Sequence, residues 1–240
     1  MENSIYVGLS GQVAMEQKMA LIANNVANIN TPGYRGQNAL FKEFISDQRR
    51  MKEDVSLVLD YGQYRVTDAG SVKETGNPLD VALVGPGFMG VQTPDGIQYT
   101  RAGNFALNMD GQLVTSQGRL VADAGGGAIT VPQDAKYVSI DKGGIISTDQ
   151  GQIATLMLSE FPDYQRMEPA GNGLYKTEQA ALPATETTVL QGKIEGSNVQ
   201  PVLEMTRMIE VMREYQAVQN MMNNEQDRQR NGLQRMLRTS

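Results

Sequence analysis

The two ends of this chain carry a heptad pattern of apolar residues, and the segment between them does not. Near the N-terminus, residues recur at alternating steps of four and three, and this N-terminal seam comprises Met15, Met19, Ile22, Val26 and Ile29. The same spacing returns near the other end, where the C-terminal seam comprises Met205, Met208, Met212, Tyr215, Gln219 and Met222. This spacing is typical of helices that pack against other helices. The two ends are therefore predicted to come together and to serve assembly rather than chemistry.

Helix-breaking and capping residues indicate where these helices begin and end. We expect the first helix to run from about residue 3 to Asn28, where the breakers at 30–33 stop it. The last helix is predicted to begin near Asn198, a candidate N-cap, and to continue to about Leu237. A second, short amphipathic helix is predicted for residues 37–50 from the spacing of its apolar side chains.

The segment 79–182 has the pattern of a compact β module. Short apolar runs alternate with turn signals such as 94–96 and 108–111, at the spacing of about 8–12 residues that small all-β domains show. The predicted domains are a terminal helical domain (1–35 and 198–240), an extended connecting region (36–78 and 183–197) and a central β domain (79–182). The predicted fold class is α+β: long N- and C-terminal helices that pair as a coiled coil, with an all-β central domain inserted between them.

Composition restricts the chemistry that the chain can perform. The 240 residues include no cysteine and no histidine, which excludes thiol nucleophiles, zinc sites built on these residues and imidazole bases. The net charge of −6 falls in the middle, because residues 195–240 balance six acids against six arginines and residues 1–35 balance two against two. An acidic middle argues against nucleic acid or anionic membrane as a partner. We expect no enzymatic activity, no catalytic, cofactor-binding or metal-binding residues, and no cofactor.

Two glycine motifs resemble nucleotide-binding loops only superficially. Residues 85–90 match G-x-G-x-x-G, but a short strand and a turn follow instead of the helix that pyrophosphate binding requires. A tight connection between two strands is the better interpretation. The glycines at 125–127 lack the following lysine and hydroxyl residue of a phosphate loop. Asp95 and Asp110 each precede glycine, as hairpin turns require.

The segment 23–35, ANNVANINTPGYR, is unusual at the end of a long helix. Asparagines compete with the helix for backbone hydrogen bonds, so four of them within seven residues are costly unless they bond to something. One interpretation is an elaborate helix cap and turn; the other is a polar face that bonds neighbouring subunits. The interface candidates in this segment, beyond the N-terminal seam, are Asn24, Asn25, Asn28, Thr31, Pro32, Gly33, Tyr34 and Arg35.

The same segment resembles the N-terminal signature of a known protein family, the bacterial flagellar rod and hook proteins. The stretch LDVALVGPGFMGVQTPDGIQYTRAGNFALNMDGQLVTSQG at 79–118 is similar to the opening of the family's β domain, and EGSNVQPVLEMTRMIEVMREYQA at 195–217 is similar to its C-terminal signature. Together the three stretches cover about a third of the chain. Within the family, the start MENSIYVGLSG and the length are most similar to the proximal rod type, with the distal rod type as the alternative.

The resemblance implies a structural subunit of the flagellar basal body. Such a subunit is expected to be made in the cytoplasm, exported by the flagellar type III apparatus without a cleaved signal peptide, and polymerised in the periplasm into a hollow rod that transmits torque from motor to hook. Its partners would be copies of itself and the other rod proteins, namely the inner proximal and distal rod subunits, with no nucleic acid and no direct insertion into the membrane. Two other classes remain open: a peptidoglycan-acting enzyme with paired carboxylates, and a soluble adaptor with a helical binding face.

Overall fold

The computed structural model describes residues 2–46 and 55–238, which form two compact units. The helical unit comprises the described parts of Met1–Ala27, Gln37–Tyr64 and Gln200–Ser240, and the β unit comprises Asn28–Gly36 and Arg65–Val199. This grouping differs from the predicted regions. Residues 28–35 and 198–199, predicted to belong with the terminal helices, group with the β unit. The predicted connecting region is divided: the described part of 37–64 groups with the helices, whereas 36, 65–78 and 183–197 group with the β unit. The ends of the predicted terminal domain, residues 1 and 239–240, lie outside the described residues.

The helical unit contains helices α1 (Glu2–Ala27) and α2 (Pro201–Arg238) and a two-stranded ribbon, β1 (Gln37–Ser46) paired with β2 (Val55–Arg65). The helices run antiparallel, because Asn25 bonds Glu204 near the start of α2 while Gly8 lies against Met222, five turns further on. The short helix predicted for 37–50 is wrong: residues 37–46 are a strand, and 47–50 lie outside the described residues. Pairing with β2 overrides the weak helical spacing of this segment.

The predicted fold class, α+β with terminal helices paired as a coiled coil, is also wrong. Within the described residues the chain has two α-helices and one short 3₁₀ helix (Tyr164–Arg166), and all other regular elements are strands, so the region between the ends is mostly β. Helix pairing is only partly as predicted. Although α1 and α2 contact each other, Met205 and Met212 of the C-terminal seam remain 52% and 46% exposed. The physical reason is that the face of α2 that is buried is shifted by one residue from the predicted seam. Glu204 and Val211 are therefore buried in place of Met205 and Met212.

The strands of the β unit are short and antiparallel. They are β3 (Val72–Glu74), β4 (Val81–Val84), β5 (Phe88–Thr93), β6 (Gly96–Thr100), β7 (Ala106–Leu107), β8 (Leu113–Val114), β9 (Val138–Ile140), β10 (Ile145–Thr148), β11 (Gly151–Thr155), β12 (Leu158–Glu160), β13 (Glu168–Gly171), β14 (Leu174–Lys176), β15 (Leu182–Pro183), β16 (Thr188–Gln191) and β17 (Lys193–Glu195). A six-stranded sheet has the order β13-β14-β6-β5-β12-β15, and a three-stranded sheet has the order β11-β10-β9. Three two-stranded pairs, β16-β4, β17-β3 and β7-β8, complete the described strands.

Turn glycines fix the register of these strands. The β5–β6 hairpin pairs Thr93 with Gly96, whose φ of 110° suits glycine, and Gly111 closes the next turn at φ 75°. Both Asp-Gly turns are therefore confirmed. Residues 85–87 connect β4 to β5 directly, with Gly85 at φ 119°, so the G-x-G-x-x-G match is a strand-to-strand connection.

Two apolar clusters stabilise the β unit. The main core consists of buried side chains from strands and loops, namely Val81, Leu83, Met89, Phe105, Leu113, Val121, Ile129, Ile140, Ile146, Leu156 and Val189. The second cluster is aromatic: Phe88, Met167 and Tyr175 are buried, and Tyr99, Phe161 and Tyr164 pack against them. The phenyl ring of Phe88 stacks on Tyr164 with ring centroids 5.2 Å apart.

Candidate assembly surfaces

Helix α1 turns most of its predicted seam inward. Ile22 is buried, and Met15, Met19 and Val26 are half-buried. Ile29, the last seam residue, lies beyond the end of α1 in the β unit, where it is half-buried. In the first turns of the helix, Gly8 is buried and permits close packing, since a Cβ there would lie 3.0 Å from Cγ of Met222. The part of the N-terminal seam that lies on α1 therefore faces the inner side of the helical unit.

Helix α2 divides the predicted C-terminal seam between an inner and an outer side. Met208, Tyr215 and Met222 are half-buried, whereas Met205, Met212 and Gln219 are exposed. The inner side instead includes Glu204 and Val211, which are 5% and 1% exposed.

A second apolar row is therefore left on the outside of α2. We call this row the outer stripe: Val202, Met205, Ile209 and Met212. These four side chains follow one another at steps of three and four and are 78%, 52%, 51% and 46% exposed, respectively. Contiguous exposed apolar surface of this kind marks interaction sites in folded proteins. The outer stripe is therefore a candidate assembly surface of the helical unit.

Asn25 joins α1, β1 and α2 within the helical unit. Its side chain is buried and donates through Nδ2 to the carbonyl of Gln37 at 2.9 Å and to Oε2 of Glu204 at 3.3 Å. Its Oδ1 accepts from the Gln37 N–H at 2.9 Å. The other oxygen of Glu204 accepts from Nη1 of Arg207 at 2.7 Å. The sequence analysis asked what the asparagines near the end of α1 bond to. For Asn25 the hydrogen-bond partners lie within the chain.

The other asparagines of the segment have different surroundings. Asn24 is exposed at the end of α1. Asn28 is half-buried in the β unit and caps the turn that follows, since its Oδ1 accepts from the Thr31 hydroxyl at 3.0 Å and its carbonyl accepts from the Thr31 N–H at 3.2 Å. Thr31, Pro32 and Tyr34 are half-buried.

The segment before β1 meets the end of β17, the segment after β17 and the residue after β6 inside the β unit. We call this arrangement the junction: Gly33, Arg35, Arg101, Glu195 and Asn198. The Gly33 N–H donates to the carbonyl of Glu195 at 2.9 Å, and Gly33 has a φ of 67°. Asn198 does not act as the predicted N-cap. Its Oδ1 accepts from the N–H of Gly36 at 2.8 Å, and its Nδ2 donates to the carbonyls of Val66 and Asp68 at 3.1 and 2.9 Å.

Glu195 lies at the centre of the junction and is 1% exposed. Its Oε1 is 2.7 Å from Nη2 of Arg35, and its Oε2 is 2.9 Å from Nε of Arg101. The Gly70 N–H also donates to Oε1, at 3.1 Å. Because a buried carboxylate is costly unless it is paired and hydrogen-bonded, these three donors explain why Glu195 tolerates burial.

The two arginines of the junction differ in how well they are satisfied. Arg101 also donates through Nη1 to the carbonyls of Gly85 and Gly87, at 3.0 and 2.6 Å. Burial lowers the pKa of the Arg35 guanidinium, the charge of Arg101 lowers it further, and Glu195 acts in the opposite direction. Sequence reasoning singled out Arg35 but missed Arg101, Glu195 and the role of Asn198, because only tertiary contact reveals such partners.

The structure also offers a polar groove on the β unit, with a cavity volume of about 670 Å³. Its lining side chains are polar or charged: Gln165, Arg166, Glu168, Lys176, Thr177, Glu178 and Gln179. Among them, Lys176 and Glu168 form an exposed ion pair at 3.0 Å. Across residues 2–46 and 55–238, no three acidic side chains cluster as a metal site would require. None of the helices in these ranges combines the length and apolar character needed to cross a membrane.

Comparison with known sequences identifies the family to which this chain belongs. Three family models match: the flagella basal body rod protein at residues 5–35, the flagellar hook protein FlgE/F/G D1 domain at 82–148, and the flagellar basal body rod FlgEFG protein C-terminal region at 190–235. The flagellar basal-body rod protein FlgF of Caulobacter vibrioides is 35% identical over 241 residues, covering 98% of both chains. The chain belongs to the flagellar basal-body rod protein family.

Other relatives support the same family, and their sequence identity to this chain is higher for a FlgF protein than for a FlgG protein. FlgF of Mesorhizobium japonicum is 35% identical over 219 residues, covering 90% of each chain. FlgG of Caulobacter vibrioides is 32% identical over 237 residues, covering 86% of this chain and 89% of the relative. The matches at 5–35 and 190–235 contain the two segments that meet in the junction, so the parts typical of the rod family are in contact within one β unit.

Proposed function

We propose that this protein is a structural subunit of the flagellar basal-body rod, of the proximal type that FlgF represents, and that it acts by assembly rather than by catalysis. One observation carries the proposal: 35% identity to a FlgF protein over 98% of both chains. A structural subunit must offer surfaces that remain exposed until neighbouring copies cover them. The outer stripe on α2 has this property.

The proposed partners are copies of this chain and other rod proteins, and the proposed location is the periplasmic part of the basal body. Export through the flagellar type III apparatus belongs to the same proposal. The predicted interface residues divide into two groups by their burial. The exposed ones, such as Met205, Met212 and Gln219, are proposed to contact neighbouring subunits. The inward ones, such as Ile22 and Asn25, are proposed to act indirectly by holding α1 in place.

The test uses a pair of methionine substitutions in a strain whose own copy of the gene is deleted. Met212→Asp places a charge on the outer stripe, where Met212 is 46% exposed, so the isolated chain should still fold. A neighbour that covers Met212 would bury that charge without a partner, which opposes binding. We expect Met212→Asp cells to accumulate the protein normally, to lack complete rods in images of isolated basal bodies, and to stop swimming.

Met109→Asp is the matched control, because Met109 is 97% exposed at a turn of the β unit and lies outside the stripe. Cells carrying it should swim and build rods as the wild type does. Normal rods and normal swimming in Met212→Asp cells would refute the stripe as an interface. Normal rods and swimming in the deletion strain itself would refute the rod function.

The distal rod type, FlgG, is the second candidate because its relatives also match most of the chain at about 32% identity. The two types differ in the position of the subunit along the rod. Gold labelling of a tagged, functional copy in isolated basal bodies would separate them, since the proximal type predicts label near the cell-side end. Label confined to the end nearest the hook would favour the distal type.

A further inference from the structure

Methionine carries all of the sulfur in this chain, and the exposure of the methionines differs widely. The sequence contains 14 methionines and no cysteine. Within residues 2–46 and 55–238, Met89 and Met167 are both 0% exposed. Because a dissolved oxidant must reach a sulfur atom to react with it, the exposed methionines are expected to be the reactive ones. Four methionines in these ranges are about half exposed or more: Met109, Met205, Met212 and Met221.

Two of the four exposed methionines lie in the outer stripe. Met205 and Met212 are seven residues apart, about two helical turns, and therefore share one face of α2. The other members of the stripe, Val202 and Ile209, have side chains that contain only carbon and hydrogen. The readily oxidised atoms of the stripe are thus the two thioether sulfurs. Met221 follows Met212 by nine residues, about two and a half turns, so it lies on the opposite side of the helix.

Oxidation of a methionine changes the polarity of its side chain. The sulfur lone pair attacks one oxygen of hydrogen peroxide, an S–O bond forms and the O–O bond breaks. The sulfide is oxidised to a sulfoxide, and the peroxide is reduced to one water molecule that takes both hydrogens. The sulfoxide is polar, and methionine sulfoxide reductases return it to the thioether. A sulfoxide oxygen that an apolar surface covers loses its hydrogen bonds to water, which opposes binding.

We propose that Met205 and Met212 form a reversible oxidation site that decides whether a subunit can join the rod. This inference rests on the proposed function, in which neighbouring copies cover the outer stripe. In the free subunit, peroxide reaches both sulfurs, which belong to side chains that are 52% and 46% exposed. An oxidised subunit presents a polar group where a neighbour must bind, and it is left out until a reductase restores the thioether. In an assembled subunit the same sulfurs are covered and protected.

The modification should leave the fold of the subunit intact. The residues that α2 buries next to these methionines are Glu204 and Val211, which are 5% and 1% exposed. Met205 and Met212 lie on the outer side, so a sulfoxide oxygen on either can point into solvent. The expected product is therefore a folded subunit that does not assemble, rather than an unfolded chain.

The first experiment maps oxidation in the free chain and in isolated rods. Purified full-length protein and isolated basal bodies receive the same dose of hydrogen peroxide, and peptide mass mapping measures the sulfoxide at each methionine. In the free chain, Met205 and Met212 should be oxidised at least about tenfold faster than Met89, with an unchanged thermal midpoint. In rods, both should be oxidised at least about tenfold more slowly than in the free chain. Methionine sulfoxide reductases should restore the original mass of the oxidised chain.

The second experiment uses glutamine, which is unbranched, uncharged and polar, as methionine sulfoxide is. In the deletion strain, Met205→Gln combined with Met212→Gln should reduce the number of complete rods and of swimming cells at least about tenfold, because the stripe is then polar. The purified double variant should keep the thermal midpoint of the wild type. Met221→Gln is the matched control, because Met221 is 51% exposed on the opposite side of α2. Cells carrying it should build rods and swim normally.

The outcomes separate the oxidation site from the function on which it rests. Lost rods in Met212→Asp cells, together with normal rods in the double glutamine variant, would overturn the oxidation site while the stripe remained an interface. Normal rods in both would remove the interface and the oxidation site together. Equal oxidation rates for Met212 and Met89 in the free chain would overturn the proposal. The same holds for equal rates for Met212 in rods and in the free chain, since assembly would then give no protection.

Discussion

Arg35 and Glu195, 160 positions apart in the chain, form a buried ion pair with 2.7 Å between Nη2 and Oε1. Arg35 ends the N-terminal family segment, and Glu195 ends β17 just before the C-terminal helix. The β unit therefore includes residues from both ends of the sequence, although most of its strands come from the middle. Damage to this pair should be visible in the stability of the β unit itself.

Glu195→Gln should strongly destabilise the β unit. The substitution removes the charge that Arg35 and Arg101 share, and leaves buried guanidinium groups without compensation. Breaking a buried pair from one side typically costs about 3–5 kcal/mol. We expect a loss of that order in the free energy of unfolding, measured by urea titration of the purified chain with near-ultraviolet signals from the tyrosines of the β unit.

Glu168→Gln provides the comparison, because Glu168 pairs with Lys176 at 3.0 Å on the surface, where both side chains are more than half exposed. Its urea midpoint should equal that of the wild type within error, since exposed pairs contribute little. Equal midpoints for Glu195→Gln and Glu168→Gln would mean that the Glu195 carboxylate is not the centre of the junction.

Gly33→Ala should destabilise the chain through steric contact as well as backbone strain. A Cβ at Gly33 would lie 2.5 Å from the carbonyl carbon of Arg101, which is backbone and cannot move aside. Gly76→Ala is a matched control: its φ of 74° is close to the 67° of Gly33, but nothing lies within 4 Å of its Cβ position. The left-handed conformation alone costs about 1–2 kcal/mol. Urea titration should show a clearly larger loss for Gly33→Ala, and equal losses would contradict the close contact with Arg101.

Asn25→Leu should loosen α1 from the rest of the helical unit. Leucine keeps the volume but removes both bonds to Gln37 and the bond to Glu204, and leaving buried polar partners unsatisfied costs about 1–3 kcal/mol each. Amide exchange should accelerate in α1 and at Gln37, while the strands of the main core keep their protection. Unchanged exchange in α1 would show that Asn25 does not hold the helix. Asn30→Ala, at an exposed position just after α1, should leave the α1 exchange pattern unaltered.

Local signals in the sequence predicted some parts of this structure well and others poorly. The Asp95-Gly96 and Asp110-Gly111 turns could be predicted because a positive φ is a local requirement that glycine meets. The face of α2 could not, since both sides of this helix carry apolar residues at helical spacing: Met205 and Met212 on one, Met208 and Val211 on the other. Periodicity detects such rows but does not say which one meets α1. Asn25, which is itself hydrogen-bonded to Gln37, selects the inner side by donating to Glu204, a polar residue that hydrophobic patterning excludes from a buried row.

The junction was predictable only in part, for a related reason. Gly33 and Arg35 stood out because they lie in an asparagine-rich segment with family resemblance. Glu195 and Arg101 are single charged residues in short strands or loops, where solvent exposure is the usual expectation. Their burial depends on each other and on Arg35, so no local pattern contains the information. The strand at 37–46 was missed because its pairing with β2 is likewise a tertiary effect.

Tyr164→Phe should reduce the loss of stability at alkaline pH. Burial raises the pKa of Tyr164 well above its ordinary value, and the neighbouring Tyr175 raises it further. In the unfolded chain the phenol ionises near pH 10, while in the folded chain it keeps its proton. The folded state therefore binds more protons above pH 10, so the stabilisation is complete below that value and is lost as pH rises towards the folded pKa. Urea midpoints between pH 8 and 11 should fall less steeply for Tyr164→Phe than for the wild type. Parallel curves for the two proteins would show that the hydroxyl of Tyr164 ionises as easily in the folded chain as in the unfolded one.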